Sequence, residues 1–283
     1  MRVNHLLQTY EVSLGRACKL MDLSRSVYYY KSNRDDRQVI DKLQTMAEQR
    51  PTEGFWKMYY RIRKEGLLWN HKRLHRVYKL LRFNIKRKGK RRLPARILRP
   101  LEAVHAMNIS WSMDFMTDSL LSGRKFRTLN LMDDYNREAL AIEVDTSLPA
   151  ERVIRVLEQL TEWRGKPNRI RVDNGPEFIS TALGLWCEEK EVMLQFIQPG
   201  KPTQNAYIER FNGSFRRDVL DAYLFEDINQ IRTLAEEWME DYNNNRPHDA
   251  LNGRSPMDLW KTLEEFPTNP QGILLQLQTE KSN

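Results

Sequence analysis

Cysteine is almost missing from this 283-residue chain: Cys18 and Cys187 stand alone, far apart in sequence. That excludes a CxxC zinc site and gives no ground for a disulfide, so two inert thiols in a cytosolic protein are expected. Long apolar runs are lacking too. None approaches the roughly twenty residues that cross a bilayer, and the first residues lack the apolar stretch of a secretory signal. Acidic residues are missing from one stretch, 72–100, which holds thirteen Lys and Arg and no Asp or Glu. Against these absences stand 40% hydrophobic residues and seven Trp. These suit a folded chain of one or two domains rather than a disordered one.

The charge is split along the chain. Residues 1–100 carry 26 Lys and Arg against 8 Asp and Glu, and residues 101–283 carry 20 against 30. The first part has the electrostatic footprint of a nucleic-acid binder and the second does not.

The basic part reads as short helices. Ser13 can cap a helix bearing Leu14, Ala17, Cys18 and Met21, and after a turn at Asp22-Leu23, Ser24 can cap another through Val27 and Tyr30. This pair fits either a helix-turn-helix, with Arg25, Ser26, Tyr28 and Tyr29 placed to meet DNA, or a plain helical hairpin. Farther on, Phe55, Met58, Tyr59 and Ile62 share one helical face, Gly66 breaks that helix, and Asn70 can cap another carrying Leu74, Val77, Tyr78 and Leu81 at i, i+3, i+4 and i+7. The opposite face carries Lys72, Arg73, Arg76, Lys79 and Arg82. His71 and His75 read as polar contacts rather than metal ligands, because no Cys or acid accompanies them. Residues 86–100, bounded by Pro94 and Pro100, read as a basic linker. The candidate DNA contacts are Arg73, Arg76, Lys79 and Arg82 on the helix and Lys86, Arg87, Lys88, Lys90, Arg91 and Arg92 in the linker.

From Ile109 on, strands alternate with helices. Ile109–Met116 is a first strand, and Phe126–Met132 and Ala139–Val144 form a hairpin through Asp133-Asp-Tyr-Asn136. A helix over 149–164, a short strand at Arg169–Val172, a helix over 179–191 and a strand at Met193–Ile197 follow. Helices over 205–222 and near 228–243 come next. Periodicity alone supports a mixed α/β domain. The chain thus divides into a basic helical region (1–100), an α/β domain (101–265) and a tail (266–283).

Three carboxylates separate themselves from the rest. Asp114 sits in Trp111-Ser-Met-Asp114-Phe115, and Asp173 follows a short buried strand and precedes Asn174-Gly175. Glu209 lies on a helix with Asn205, Asn212 and Arg216 on the same face. Two acids at strand ends and one on a helix can converge on two hard cations, the arrangement that activates an attacking oxygen and steadies a leaving one in phosphoryl transfer. Three such groups at ~4 Å repel by a few kcal/mol per pair at an effective dielectric near ~20, which a divalent cation offsets. Mg²⁺ suits an all-oxygen donor set, and Mn²⁺ should substitute. Asp133 and Asp134 belong to turn chemistry, Glu177 to a first helical turn, and Asp118 and Asp145 end strands without further context.

The same segments carry a resemblance. Trp111-x-x-Asp114, Asp173-Asn-Gly-Pro-Glu-Phe178, the run from Gln198 through Glu209 to Asn212, and Tyr242-Asn-x-x-Arg246-Pro-His248 resemble the DDE transposases of the retroviral-integrase superfamily. More narrowly, they resemble the second-reading-frame product of bacterial insertion sequences of the "insertion sequence three" family. The resemblance spans roughly residues 105–260. It implies an RNase H-like catalytic core preceded by a small all-α helix-turn-helix DNA-binding region, with strand order βββαβαβα in sequence. It implies a transposase that cleaves and joins DNA at the ends of an insertion sequence. Asp114, Asp173 and Glu209 would be its catalytic and metal-binding residues with two Mg²⁺, and Arg216, seven positions after Glu209, would contact DNA. The implied partners are terminal inverted repeats, target DNA, further copies of the chain on DNA, and a first-reading-frame protein joined by frameshifting. The lack of a long leucine heptad run fits dependence on such a partner. The implied setting is the bacterial cytoplasm, at the nucleoid. An RNase H-like nuclease without strand transfer, or a DNA-binding regulator of transposition, remains open beside this reading.

Overall fold

The computed structural model describes residues 2–30, 35–84, 104–175, 177–198 and 202–265. The chain forms two compact units, Met1–Thr45 and Met46–Asn283. The first holds α1 (Arg2–Tyr10), α2 (Leu14–Leu20), α3 (Arg25–Tyr29) and most of α4 (Arg37–Gln49). The Ser13 and Ser24 side chains accept from Arg16 N–H and Val27 N–H, as their positions before the helices predict. Its small core gathers Val3, Ala17 and Cys18, with Leu6, Leu7, Met21 and Tyr28 packed against them. The sequence reading had not separated α1 or α4 as helices.

In the second unit, α5 (Phe55–Lys64) and α6 (His71–Leu80) make the expected pair, with the Asn70 side chain capping α6 through Lys72 N–H. Leu74, Val77 and Tyr78 are buried, and Lys72, Arg76, Lys79 and Arg82 face solvent with Arg73 partly covered. Lys86, Arg87, Lys88, Lys90, Arg91 and Arg92 lie outside the described residues.

The α5–α6 pair does not stand apart from the α/β domain. The divide falls inside α4 rather than at residue 100, so residues 46–84 belong to the same unit as the sheet. The reason is ionic. Arg61, on α5, is buried and gives its guanidinium to Glu53 (2.8 Å) and to Asp241 (2.9 Å), and Arg50 pairs with Asp241 from the other side at 2.9 Å. Lys64 reaches Asp258 at 2.8 Å and the Asn244 carbonyl. Thr52 donates to Asp218, which also accepts from Arg246 and Trp238.

The sheet has five strands in the order β3-β2-β1-β4-β5: β1 (Ser110–Ser119), β2 (Lys125–Asp133), β3 (Ala139–Asp145), β4 (Arg169–Val172) and β5 (Met193–Phe196). β1, β2 and β3 pair antiparallel, and β4 and β5 add on parallel. α7 (Ala150–Arg164) and α8 (Thr181–Glu189) cover one face over Trp111, Met113, Leu129, Leu131, Ile170 and Val172. α9 (Ala206–Phe215) and α10 (Ile228–Asn244) cover the other, over Met116, Phe126, Met132 and Val144. Period-2 alternation along β1 therefore points Trp111 and Met113 to α7 and α8, and Ser112, Asp114 and Met116 to α9. α11 (Pro256–Glu265), absent from the sequence reading, packs on α10.

Three local differences from the sequence reading matter. β1 runs on to Ser119 because its pairing with β2 continues that far, although its ladder with β4 stops at Ser112. The helix after Asp173 begins at Thr181, capped by Ser180. The helix after Glu209 runs on to Leu220 as expected but changes type: α9 ends at Phe215 and a π-helical turn continues it over Arg216–Leu220, with Asp221 N–H on Arg216 O at 2.7 Å. Arg61→Ala should leave the buried Glu53 without its partner and Asp241 with Arg50 alone, and cost about 3 kcal/mol. Urea denaturation of the full chain checks it, and a loss under about 1 kcal/mol would show that the hairpin is held mainly by apolar packing.

Candidate active site

Asp114 and Asp173 both stand just past the end of the parallel β1–β4 ladder. The ladder's last pair is Ser112 with Arg171, so Asp114 lies two residues beyond it on β1 and Asp173 one residue beyond the end of β4. The carboxyl ends of neighbouring parallel strands are where open α/β sheets place their ligands. Asp114 is thus in mid-strand rather than at a strand end, and the crevice comes from β4 stopping short.

A polar column fills the α9 side of the sheet beneath it. Asp134 accepts from the Ser110 and Ser112 hydroxyls at 2.7 and 2.6 Å and pairs with Arg171 at 3.0 Å, all buried. Asp133 accepts from the N–H groups of Asn108 and Tyr135. Both acids are structural: Asp133 closes the turn after β2, and Asp134 ties β1 to β4.

Asp114 is held from two sides. One oxygen accepts from Phe115 N–H at 2.8 Å, and the other accepts from the Asn212 amide at 2.8 Å. Asn212, on α9, in turn accepts from the Asn130 amide of β2 at 2.7 Å, and Asn130 is Asp114's cross-strand neighbour. Strand and helix therefore meet through two amides, and Glu209 sits one turn before Asn212 on α9, exposed. Burial first, then the Asp173 carboxylate and more weakly Glu209, push Asp114 up to about 6 against those two hydrogen bonds. Asn130 was not singled out in the sequence, since a buried Asn within an apolar strand has no local signature.

Asp173 is set by its loop. Its Oδ1 accepts from Gly175 N–H at 2.9 Å. A Cβ on residue 175 would come to 2.9 Å from that oxygen and 3.3 Å from Glu177, so only glycine lets the carboxylate fold onto the turn. The loop is pinned to β1 by Phe178, buried and stacked on Phe115 at 4.9 Å. Arg127, 4.3 Å over the same Phe115 ring, pairs with Glu177. Phe115 thus ties the Asp173 loop to the residue next to Asp114.

Arg216 is engaged at the end of β1. It donates to Asp118 at 2.9 Å and to the Thr117 carbonyl at 3.1 Å. Asp118, which had no context in the sequence, is its carboxylate partner. The Tyr242–His248 segment proves to be an anchor: Arg246 is buried on Asp218 at 2.5 Å, and His248 packs edge-on to the buried Tyr242 ring. Among the described residues, no three His, Cys, Asp or Glu side chains gather closely enough to hold an ion between them. The donor set of Asp114, Asp173 and Glu209 is all oxygen, and the repulsion that burdens Asp114 is the kind that a hard cation relieves, so the residues fit such an ion by chemistry. No described helix is long and apolar enough to cross a membrane.

Comparisons with known proteins give the family. Two integrase core domain models match, over residues 104–202 and 190–256. The 31.7 kDa protein of insertion element IS407 from Burkholderia multivorans is 38% identical over 249 residues, covering 87% of this chain and 90% of its own. Transposase InsD of insertion element IS2 from Escherichia coli is 27% identical, covering 87% and 84%. The catalytic core domain of HTLV-2 integrase, solved with magnesium, covers 56% of this chain and 98% of its own at 16% identity, with a TM-score of 0.42. The chain belongs to the DDE transposases of the integrase superfamily, polynucleotidyl transferases encoded by insertion elements.

An acid with a raised folded pKa binds its proton more tightly folded than unfolded, so it makes the fold less stable as pH rises from about 4 to about 6. Asp133, also pushed up to about 6 by burial, acts in the same window. Asp114→Asn should therefore be more stable than wild type in chelator at about pH 8, with the gap closing towards about pH 4. Denaturation curves at the two pH values test this. A constant gap would mean that Asp114 carries no such burden.

Proposed function

We propose that this transposase cleaves and joins DNA strands at the ends of its insertion sequence, with Asp114, Asp173 and Glu209 as the acids that hold two Mg²⁺, Mn²⁺ serving in their place. The observation that carries this reading is the placement of Asp114 and Asp173 just past the end of the β1–β4 ladder, with Glu209 one turn before the Asn212 that holds Asp114. When bound, the ions supply charge stabilisation to the attacking and leaving oxygens of an in-line displacement. The chain's own residues do the rest. Asn212 and Phe115 N–H fix the Asp114 carboxylate, leaving its orientation independent of substrate. The Gly175 turn and the Phe178–Phe115 stack fix Asp173. Arg216 exchanges its hold on Asp118 for a DNA phosphate.

The basic face of α6 and the run from Lys86 to Arg92 contact phosphates of the terminal inverted repeats and of target DNA. The active form is an oligomer on DNA, joined to a first-reading-frame protein that supplies repeat recognition. The working place is the bacterial cytoplasm, at the nucleoid. Strand joining separates this reading from a nuclease that only hydrolyses and from a regulator that only binds.

Asp114→Asn, Asp173→Asn and Glu209→Gln should each lower cleavage of labelled element ends by about a thousandfold or more while DNA affinity stays within about twofold. Gel assays with Mg²⁺ or Mn²⁺, with and without the first-frame protein, read both cleavage and joining. Cleavage within about tenfold of wild type for any variant would remove that acid from the site.

A further inference from the structure

We propose that the aromatic surface of the α5–α6 hairpin is a stacking platform for an unpaired DNA strand. Trp56 is 54% exposed. Its ring centroid lies 5.8 Å from Tyr59, 6.4 Å from Tyr60 and 6.2 Å from His71, and Tyr59 lies 6.3 Å from His71. Four rings therefore cluster where the two helices meet. The hairpin's core does not need them, since Met58, Ile62, Leu74, Val77 and Tyr78 fill it from another stripe of each helix.

The platform is edged with cations. Positions 56, 59, 60 and 63 fall at i, i+3, i+4 and i+7, so exposed Arg63 continues the Trp56 stripe along α5. On α6, His71 borders exposed Lys72, and Lys79 follows two turns on. The surface is also fixed to the rest of its unit. The Tyr60 ring lies so close over Gly253 that a Cβ there would come within 2.7 Å of it, and Lys64 on the same helix is paired to Asp258.

Charge complementarity selects the occupant. Cations flanking the exposed Trp56 and His71 rings match a ligand that offers phosphates and π-faces together, which a protein surface does only where acids and aromatics are interleaved. Duplex DNA offers phosphates but keeps its base faces stacked inside, whereas an unpaired strand presents both. Base–aromatic stacking tolerates any sequence, so the platform would grip a splayed or single-stranded end without reading it.

The test needs no metal and no strand transfer, so it stands or falls apart from the catalytic reading. Full-length wild type, Trp56→Ala, Trp56→Phe and Arg63→Ala would be titrated in chelator with a fluorescent single-stranded oligonucleotide and with a blunt duplex of the same sequence. Trp56→Ala should weaken single-strand binding roughly tenfold or more and duplex binding by less than about twofold, with an unchanged salt slope. Trp56→Phe, which keeps a ring, should recover most of the loss, and the melting temperature of Trp56→Ala itself guards against its misfolding. Arg63→Ala should weaken both ligands and flatten the salt slope. Equal losses on single strand and duplex for Trp56→Ala, or no loss on either, would overturn the proposal. So would a change in oligomeric state by light scattering with DNA binding intact, which would make the rings a protein contact instead.

Discussion

The Asn212 amide joins the central strand to the helix that closes the sheet, and the geometry of the site depends on it. Its N–H₂ end holds Asp114 while its carbonyl end takes the Asn130 amide from the neighbouring strand. A buried amide can bridge in this way because it offers donors and acceptors at once. Removing it would orphan Asn130 inside the sheet and release the carboxylate whose direction matters most. The same bond sets the height of α9 against β1, and with it the place of Glu209 one turn earlier.

Electrostatics works against this arrangement as well as for it. Asp114 is burdened by burial and by two other acids. Such a site is held by its surroundings rather than by itself: the Phe115–Phe178 stack, the Gly175 turn and the Asp134–Arg171 pair all fix backbone around a group that would be easier to solvate. This is strain of a useful sort, because it leaves a cation as the natural relief.

The helical hairpin belongs to that same frame. Arg61, Arg50 and Lys64 neutralise Asp241 and Asp258, so a fragment beginning near residue 105 would strip partly buried acids of their partners. Part of the basic excess of the first hundred residues is therefore spent on the chain's own carboxylates. The solvent-facing Lys72, Arg76 and Lys79 remain turned outward, beside the exposed rings.

Local chemistry determined much of this protein. Caps at Ser13, Ser24 and Asn70, the apolar period of α5 and α6, and the alternation of β1 to β5 all act within a few residues, so the sequence by itself decided these elements. α1, α4 and α11 escaped because short or mixed apolar patterns become helices only when neighbours cover them. The widening of the helix after Phe215, where Val219 and Leu220 are buried, is a packing outcome of the same kind. What only the tertiary structure decided is how distant polar groups find one another: Asn130 with Asn212, Arg216 with Asp118, Arg61 with Asp241. Each is an ordinary residue in its own segment. The reason is that hydrogen bonds and ion pairs acquire their worth from burial and from the partner across the fold, and neither is written in the residues on either side.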